Sequence, residues 1–163
     1  MSKKGMKVAR AHGEGLPRFN NLADAERELF RMRDNLIHEL MQAVNSCLQV
    51  RLDESPESLK RLERWYFTLL SHDGFAVLGL SRETLEQAIP MYFGAVLVAN
   101  TSSFKWLVEE SPFARGRYHI GVGTPQGSVA LTGGWNLERE PNNERQRSLW
   151  RRYRLLAGLG DGP

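Results

Sequence analysis

The segment from Ser81 to Glu110 is the most apolar part of a polar chain, and it constrains the fold most strongly. Its first part repeats apolar residues at the spacing of one helix face, namely Leu85, Ala88, Ile89, Tyr92, Phe93, Val96 and Leu97. Its last part alternates apolar and polar residues, as a strand does, with Phe104, Trp106 and Val108 on one side. We therefore expect a buried helix that leads into a strand, with the other elements arranged to cover both.

Four residues within this segment predict the shape of the helix. Ser81 is a favourable N-cap, because its hydroxyl can accept a hydrogen bond from an amide of the first turn. Pro90 lacks an amide hydrogen, so we expect a kink there, or two helices that meet. Gly94 indicates a close approach by neighbouring backbone; the alternative is a groove for a small ligand, shaped by Pro90 and Gly94. Asn100 is expected to end the helix in the left-handed conformation.

Two long amphipathic helices are predicted before this segment. Asn20 or Asn21 caps the first, and its apolar stripe reaches about Arg51. Such a helix would be about 45 Å long, so we expect it to bend or break, or its end to pack on another copy, giving a homodimer through the first helix. Ser55 caps the second helix and Pro56 occupies its first position. The short turn between the two helices predicts an antiparallel hairpin.

The remaining elements are two more strands and a last helix. Gly74 is expected to end the second helix in the left-handed conformation. Residues 117–122 and 128–132 alternate like strands, which predicts three antiparallel strands with helices on one face. The last helix begins near Asn142 or Asn143 and carries Leu149, Trp150, Tyr153, Leu156 and Ala157 on the face expected to be buried.

The predicted fold class is α+β. Two long antiparallel helices and a kinked third helix pack on a three-stranded antiparallel sheet, and an arginine-rich helix follows at the C-terminus. Residues 1–20 mix lysine, glycine and proline without periodicity and predict a flexible basic arm. Residues 21–158 form a single domain, since 163 residues fit one core, and residues 159–163 are expected to be a frayed tail.

Charge is distributed unevenly along the chain. Residues 1–21 carry five basic and one acidic side chain, residues 22–110 nine basic against fourteen acidic, and residues 111–163 eight basic against four acidic. The single cysteine, Cys47, excludes an intramolecular disulfide and a cysteine-based zinc site. No apolar run approaches the roughly 20 residues that span a bilayer, and the N-terminus lacks the apolar block of a signal peptide. We therefore expect a cytoplasmic protein with no membrane partner.

No motif predicts a catalytic site, a metal site or a cofactor. The run Gly121–Gly127 lacks the spacing of a dinucleotide fingerprint and the lysine of a phosphate loop. Ser102 and Lys105 have a serine-x-x-lysine spacing, but a helix ends and a strand begins between them. His119 opposite Glu109 or Lys105 could form a proton-transfer pair without an evident nucleophile. An enzyme is therefore the third interpretation, behind two binding functions.

A family resemblance accompanies these patterns. Tyr92, Phe93 and Gly94, followed by Val96, Leu97 and a tryptophan-bearing strand with Trp106, resemble a group of small bacterial domains of unknown function. Those domains carry an aromatic-glycine-glutamate signature on a helix, and the glutamate falls on Ala95 here, so the present chain departs from the signature. Some similar sequences are associated with immunity to bacterial toxins. The resemblance therefore implies a non-catalytic, immunity-like or adaptor-like role.

The arginines of the C-terminal helix are the strongest functional signal in the sequence. Guanidinium groups match carboxylate and phosphate, so they fit an acidic partner. We expect a protein-binding module whose surface joins the loop Ser111 to Arg117 with the last helix, through Arg115, Arg117, Arg147, Arg151 and Arg154. The alternative is binding of nucleic acid by that helix and the basic N-terminal arm, with Trp150 or Tyr153 stacking on a base. A solvated helix face with aromatic residues in the core is the simpler structural interpretation.

Overall fold

A computed structural model describes residues 13–46, 50–72, 74–132 and 148–158. The described elements are α1 (Leu22–Ser46), α2 (Pro56–His72), a 3₁₀ helix (Gly74–Leu78), α3 (Arg82–Asn100), β1 (Lys105–Glu110), β2 (Tyr118–Thr124), β3 (Gly127–Ala130) and α4 (Ser148–Leu156). The predicted α+β class is confirmed: α1 and α3 pack together and against a three-stranded antiparallel sheet, and α4 packs on α2 and α3.

The helix starts follow the local capping chemistry. Asn21 lies one residue before α1, and its side-chain oxygen accepts a hydrogen bond from the Asp24 amide at 2.9 Å. Ser55 accepts from the Ser58 amide at 3.3 Å, and Pro56 is the first residue of α2. Ser81 accepts from the Thr84 amide at 3.1 Å at the start of α3. Because a cap needs only its own first turn, all three starts were predictable.

The helix ends differ from the predictions. The described part of α1 ends at Ser46. Val50 and Arg51 are not helical, so α1 does not reach Arg51. At 25 residues it is about 38 Å long, and α3, β1 and β2 contact it. The length of α1 therefore no longer indicates that a second copy of the chain covers it, and the homodimer stays a prediction. Cys47 lies outside the described residues.

Two predicted left-handed stops are wrong. Gly74 begins the 3₁₀ helix, and Gly79 has the positive φ of 67° instead. Asn100 is the last residue of α3, and Thr101 caps it in an extended conformation with φ −137°. The Asn100 side chain donates to the carbonyl oxygens of Glu54 and Val96, both at 2.8 Å. Asn100 thus joins two elements that are far apart in the sequence.

The third helix is one continuous element. Pro90 lies inside α3, which runs unbroken from Arg82 to Asn100. The alternative prediction, two helices that meet at Pro90, is therefore wrong. Pro90 is buried, and α3 as a whole contacts α1, α2, α4 and the sheet.

The sheet has β2 at its centre, in the order β1-β2-β3. Trp106 pairs with Val122, Val108 with Ile120 and Glu109 with His119 across the β1–β2 ladder. Tyr118, Ile120 and Val122 are buried, which confirms that they share the inner face. The bounds differ by a few residues from the prediction, since β2 extends to Thr124 and β3 ends at Ala130.

Residues 13–20 are attached to the domain, which corrects the flexible arm predicted for residues 1–20. Arg18 forms an isolated antiparallel bridge with Arg117. The Tyr118 amide donates to the Pro17 carbonyl at 3.1 Å, and Leu16 is buried. This segment continues the line of β3 along β2. Residues 1–12 and 159–163 lie outside the described part of the chain.

Candidate functional site

A surface groove lies between α1 and α3, beside the start of β1. Its volume is about 420 Å³. We call it the α1–α3 groove, and it is lined by Arg33, Asp34, Ile37, His38, Met41, Glu54, Ala95, Val98, Ala99 and Trp106. Every lining residue is half-buried or exposed, so the groove is open to solvent along its length.

The α1 wall is set by the helical period. Arg33, Ile37 and Met41 are four residues apart and share one face, with Asp34 and His38 beside them. Ile37 and Met41 are half-buried against the core, whereas Asp34 and His38 are exposed. The floor of the groove is therefore apolar, and its rim on this side carries a carboxylate and an imidazole.

Arg33 is held between two aromatic rings. Its guanidinium carbon lies 4.7 Å from the ring centroids of both Phe30 and Trp106. Its Nε donates to Asp34 Oδ1 at 2.8 Å, and 18% of its side chain is exposed. A cation–π contact of this kind stabilises by about 0.5–2 kcal/mol. Arg33 thus fixes the orientation of the Trp106 indole, and Asp34 balances the charge of Arg33.

Gly94 makes room for the same indole. A Cβ atom at Gly94 would lie 2.6 Å from Trp106 Cη2 and 2.6 Å from Leu131 Cδ1. The close approach predicted for Gly94 therefore exists, but side chains make it rather than backbone. Tyr92 and Phe93 are fully buried beside it. Of the aromatic residues in the central segment, Trp106 is the one that lines the groove.

Glu54 reaches the groove in a strained conformation. Its φ is 57°, the left-handed region that costs an L-residue other than glycine or asparagine about 1–2 kcal/mol. The Glu54 amide donates to the Tyr92 hydroxyl at 2.9 Å, and its carbonyl accepts from Asn100 at 2.8 Å. These two bonds from α3 hold the strained turn in place.

The Tyr92 hydroxyl is the centre of this small network. Ser58 Oγ lies 2.7 Å from it and donates its own proton to the Ser55 carbonyl at 2.6 Å, so Tyr92 donates to Ser58. Burial raises the pKa of Tyr92 above its ordinary value of 10.0, although its hydrogen bonds with Ser58 and with the Glu54 amide act in the opposite direction. The hydroxyl therefore stays protonated and acts as a structural link.

The loop arginines of the predicted surface lie at the far end of β1. Arg115 is exposed. The Arg117 guanidinium donates to the Leu16 carbonyl and is half-buried, so this side chain holds the N-terminal segment. Within this loop, Glu110 accepts a hydrogen bond from the Gly116 amide at 2.5 Å.

The helix arginines lie on a different part of the fold. Arg151 is exposed and Arg154 half-buried on α4, which packs on α2 and α3. Arg147 lies outside the described residues. The loop and α4 are thus anchored to different elements. Trp150 stacks on Tyr153, with ring centroids 5.9 Å apart, and Lys60 Nζ lies 3.9 Å from the Trp150 ring.

The predicted pairing of His119 with Glu109 is present without a catalytic geometry. His119 Nε2 lies 3.6 Å from Glu109 Oε2, and Ser128 donates to the same oxygen at 2.8 Å. The carboxylate is therefore the middle group, whereas a serine nucleophile has to donate to the imidazole. Among the described residues, no three His, Cys, Asp or Glu side chains gather closely enough to hold a metal ion.

Comparison with known proteins places the chain in a family. Residues 18–157 match the family described as "Uncharacterised protein YwmA". The chain belongs to this family. A relative, the uncharacterised protein YwmA of Bacillus subtilis (strain 168), is 28% identical over 110 residues, which cover 68% of this chain and 69% of the relative. No solved structure gives a significant match. The resemblance to small bacterial domains of unknown function is thereby confirmed.

Most of the groove could not be predicted from the sequence. Gly94 and Trp106 stood out in the pattern of the central segment, whereas Arg33 and Glu54 did not. The i, i+4, i+8 spacing of Arg33, Ile37 and Met41 was a possible signal. Glu54 carried none, because its left-handed backbone depends on Tyr92 and Asn100, which are 38 and 46 residues away.

Proposed function

We propose that the protein is a non-catalytic protein-binding module that holds its partner in the α1–α3 groove. The observation that carries this proposal is the groove itself, an apolar floor of Ile37, Met41, Val98 and Trp106 with charged side chains along the rim. Partner surfaces commonly combine such an apolar centre with a polar border. Arg33 and Gly94 hold Trp106 in one orientation, so the surface is largely formed before a partner arrives.

Site-specific photo-crosslinking tests this proposal. A photoreactive residue replaces His38 in the groove or, as a control, Val77, which is 89% exposed on the 3₁₀ helix outside it. In the cells that naturally produce the protein, position 38 should give a covalent adduct with a second protein, and position 77 should not. Ala99→Arg, an exposed substitution that fills the groove, should remove the adduct. An adduct that survives Ala99→Arg, or no protein adduct at position 38, would refute the proposal.

An immunity-like role is the more specific form of this function. The family resemblance in the sequence supports it, and it makes the partner a toxin. Mass spectrometry of the adduct then identifies a protein that slows growth when produced alone. Co-production of the wild-type chain should restore growth, whereas the Ala99→Arg variant should not. An adaptor-like role is favoured instead if the identified partner has no effect on growth.

We also propose that the exposed arginines contribute a second contact to an acidic region of the partner. Arg115 and Arg151 are exposed, and Lys60 adds a positive charge beside α4. Charged groups away from the centre of an interface chiefly raise the association rate and make it salt-dependent. Arg115→Glu with Arg151→Glu should therefore slow association with the crosslinked partner at low salt, with little change in the dissociation rate.

Nucleic-acid binding is the alternative, and the basic character of residues 111–163 favours it. Changing Arg147, Arg151 and Arg154 together to glutamate should then abolish salt-sensitive retention on DNA or RNA. The same change at Arg27, Arg31 and Lys105 reverses as much charge elsewhere and should have a smaller effect. Retention that is unchanged in the first variant, or insensitive to salt, would remove this alternative.

A further inference from the structure

The charge of the α1–α3 groove is unbalanced on the side of Glu54. Arg33 and Asp34 form an ion pair with Nη2 and Oδ1 2.8 Å apart, so they neutralise each other. Glu54 is exposed on the opposite rim and adds a further carboxylate. A partner group next to Glu54 therefore gains most if it is a cation.

The strained backbone indicates that the Glu54 side chain has a role of its own. The hydrogen bonds of Tyr92 and Asn100 are to the backbone amide and carbonyl of Glu54, which any residue except proline provides. Glycine or asparagine would adopt a φ of 57° with less strain. The carboxylate is thus the one feature of Glu54 that the turn itself does not require. Backbone strain of this kind is concentrated at ligand contacts.

The shape of the groove favours a helix as the occupant. α1 and α3 pack side by side and present a furrow between them, and a third helix fits such a furrow with its apolar face. Small-molecule sites bury most of the ligand. Here every lining residue is half-buried or exposed, so a small ligand would remain largely in water.

We infer that the α1–α3 groove binds an amphipathic helix of a partner protein that presents a lysine or arginine to Glu54, next to aliphatic side chains on Ile37, Met41 and Val98. This inference rests on the proposed function and adds the chemistry of the partner. Glu54 is then the residue that sets specificity, and Trp106 and the aliphatic residues supply the apolar contact.

Selection from a displayed library of random 14-residue helical peptides tests the inference with the full-length chain. Peptides enriched on the wild type should carry lysine or arginine one helical turn from aliphatic residues. Such a peptide should bind the Glu54→Gln variant about three- to fivefold more weakly, the expected effect of losing one partly exposed charge pair. Ala99→Arg should abolish its binding.

Three outcomes would overturn the inference: enriched peptides without a basic residue, equal binding to Glu54→Gln, and binding that survives Ala99→Arg. Glu54→Gly removes the carboxylate and the strain together, so it should lose the same affinity while its unfolding midpoint stays at or above that of the wild type. A lower midpoint combined with unchanged affinity would assign Glu54 to the turn alone and would also overturn the inference.

The crosslinking experiment separates this inference from the proposed function. An adduct at position 38 without any enriched helical peptide would leave the binding function standing and refute the helical occupant. If peptides bind only after residues 1–12 are removed, those residues of the chain itself are the occupant and the inference of an external helix fails. Unchanged affinity after that removal supports the external partner.

Discussion

Gly94 and Arg33 determine the position of the Trp106 indole, which forms part of the floor of the α1–α3 groove. The missing Cβ of Gly94 leaves the space that the Trp106 indole and Leu131 fill. The Arg33 guanidinium then covers the indole from the α1 side at 4.7 Å. At residue scale, the shape of the groove therefore depends on one tryptophan, which contacts α3 at Gly94 and α1 at Arg33.

Gly94→Ala should destabilise the protein, although alanine usually stabilises a helix by about 1 kcal/mol relative to glycine. The added methyl would lie 2.6 Å from both Trp106 and Leu131, and overpacking of this kind costs about 1–3 kcal/mol. We expect a lower free energy of unfolding in urea. Gly15→Ala is the control, because nothing lies within 4 Å of its Cβ position. Equal effects of the two substitutions would contradict this packing.

At the scale of elements, the links between helices come from side chains that are distant in the sequence. Tyr66 on α2 donates to Glu86 on α3 at 2.6 Å, and Arg82 donates to the same oxygen at 2.8 Å. Burial raises the pKa of Glu86, but the hydrogen bonds from Tyr66 and Arg82 outweigh it and hold the pKa below its ordinary 4.5. The charged form of Glu86 is thus more favourable in the folded protein than in the unfolded chain.

The lowered pKa of Glu86 predicts a stability that depends on pH. The contribution of the carboxylate is complete above about pH 4.5, its unfolded-state value, and is lost as the pH falls through the folded-state pKa. Glu86→Gln should therefore be less stable than the wild type at pH 7, and the difference should shrink below pH 4.5. Thermal unfolding from pH 7 to pH 3 measures this. A difference that stays constant with pH would exclude the charged form as the cause.

Tyr66→Phe provides a matched comparison within the same link. It removes one donor that lowers the pKa of Glu86 but keeps the carboxylate and Arg82. The folded-state pKa of Glu86 then lies closer to the unfolded-state value, so the loss of stability on acidification should be smaller than in the wild type and should be complete at a higher pH. If Tyr66→Phe and the wild type have the same pH profile, the phenol does not stabilise the charged carboxylate.

For the whole molecule, one core joins both ends of the described chain. Leu149 and Tyr153 of α4 are 0% and 4% exposed and belong to the same cluster as the residues of α1, α3 and the sheet. Phe19 packs edge-on against Tyr118, with ring centroids 6.1 Å apart. The arginines of α4 are therefore carried by a helix that is part of the domain. Among the described helices, none is both long and apolar enough to cross a membrane.

Leu149→Ala should destabilise the whole protein by about 2–5 kcal/mol, because it removes a fully buried side chain from the shared core. Leu155 lies on the same helix and is 74% exposed, so Leu155→Ala should change stability by less than about 0.5 kcal/mol. Far-UV and near-UV circular dichroism should still report a single transition. Separate transitions in the wild type would show that α4 unfolds independently of the rest.

The sequence by itself determined the features that depend on neighbours within one turn or one strand. Asn21, Ser55 and Ser81 cap their helices as predicted, and the alternation of Tyr118, Ile120 and Val122 identified the inner face of β2. Periodicity and capping are local properties, so they can be read from the chain directly.

Only the tertiary structure decided the groove and the helix ends. The φ of Glu54, the position of Asn100 and the continuity of α3 through Pro90 depend on contacts between residues far apart in the sequence. Such contacts compete with local preference, and at these positions they override it. The arginines were visible in the sequence, but which of them are exposed and which, like Arg117, hold another segment depended on the fold.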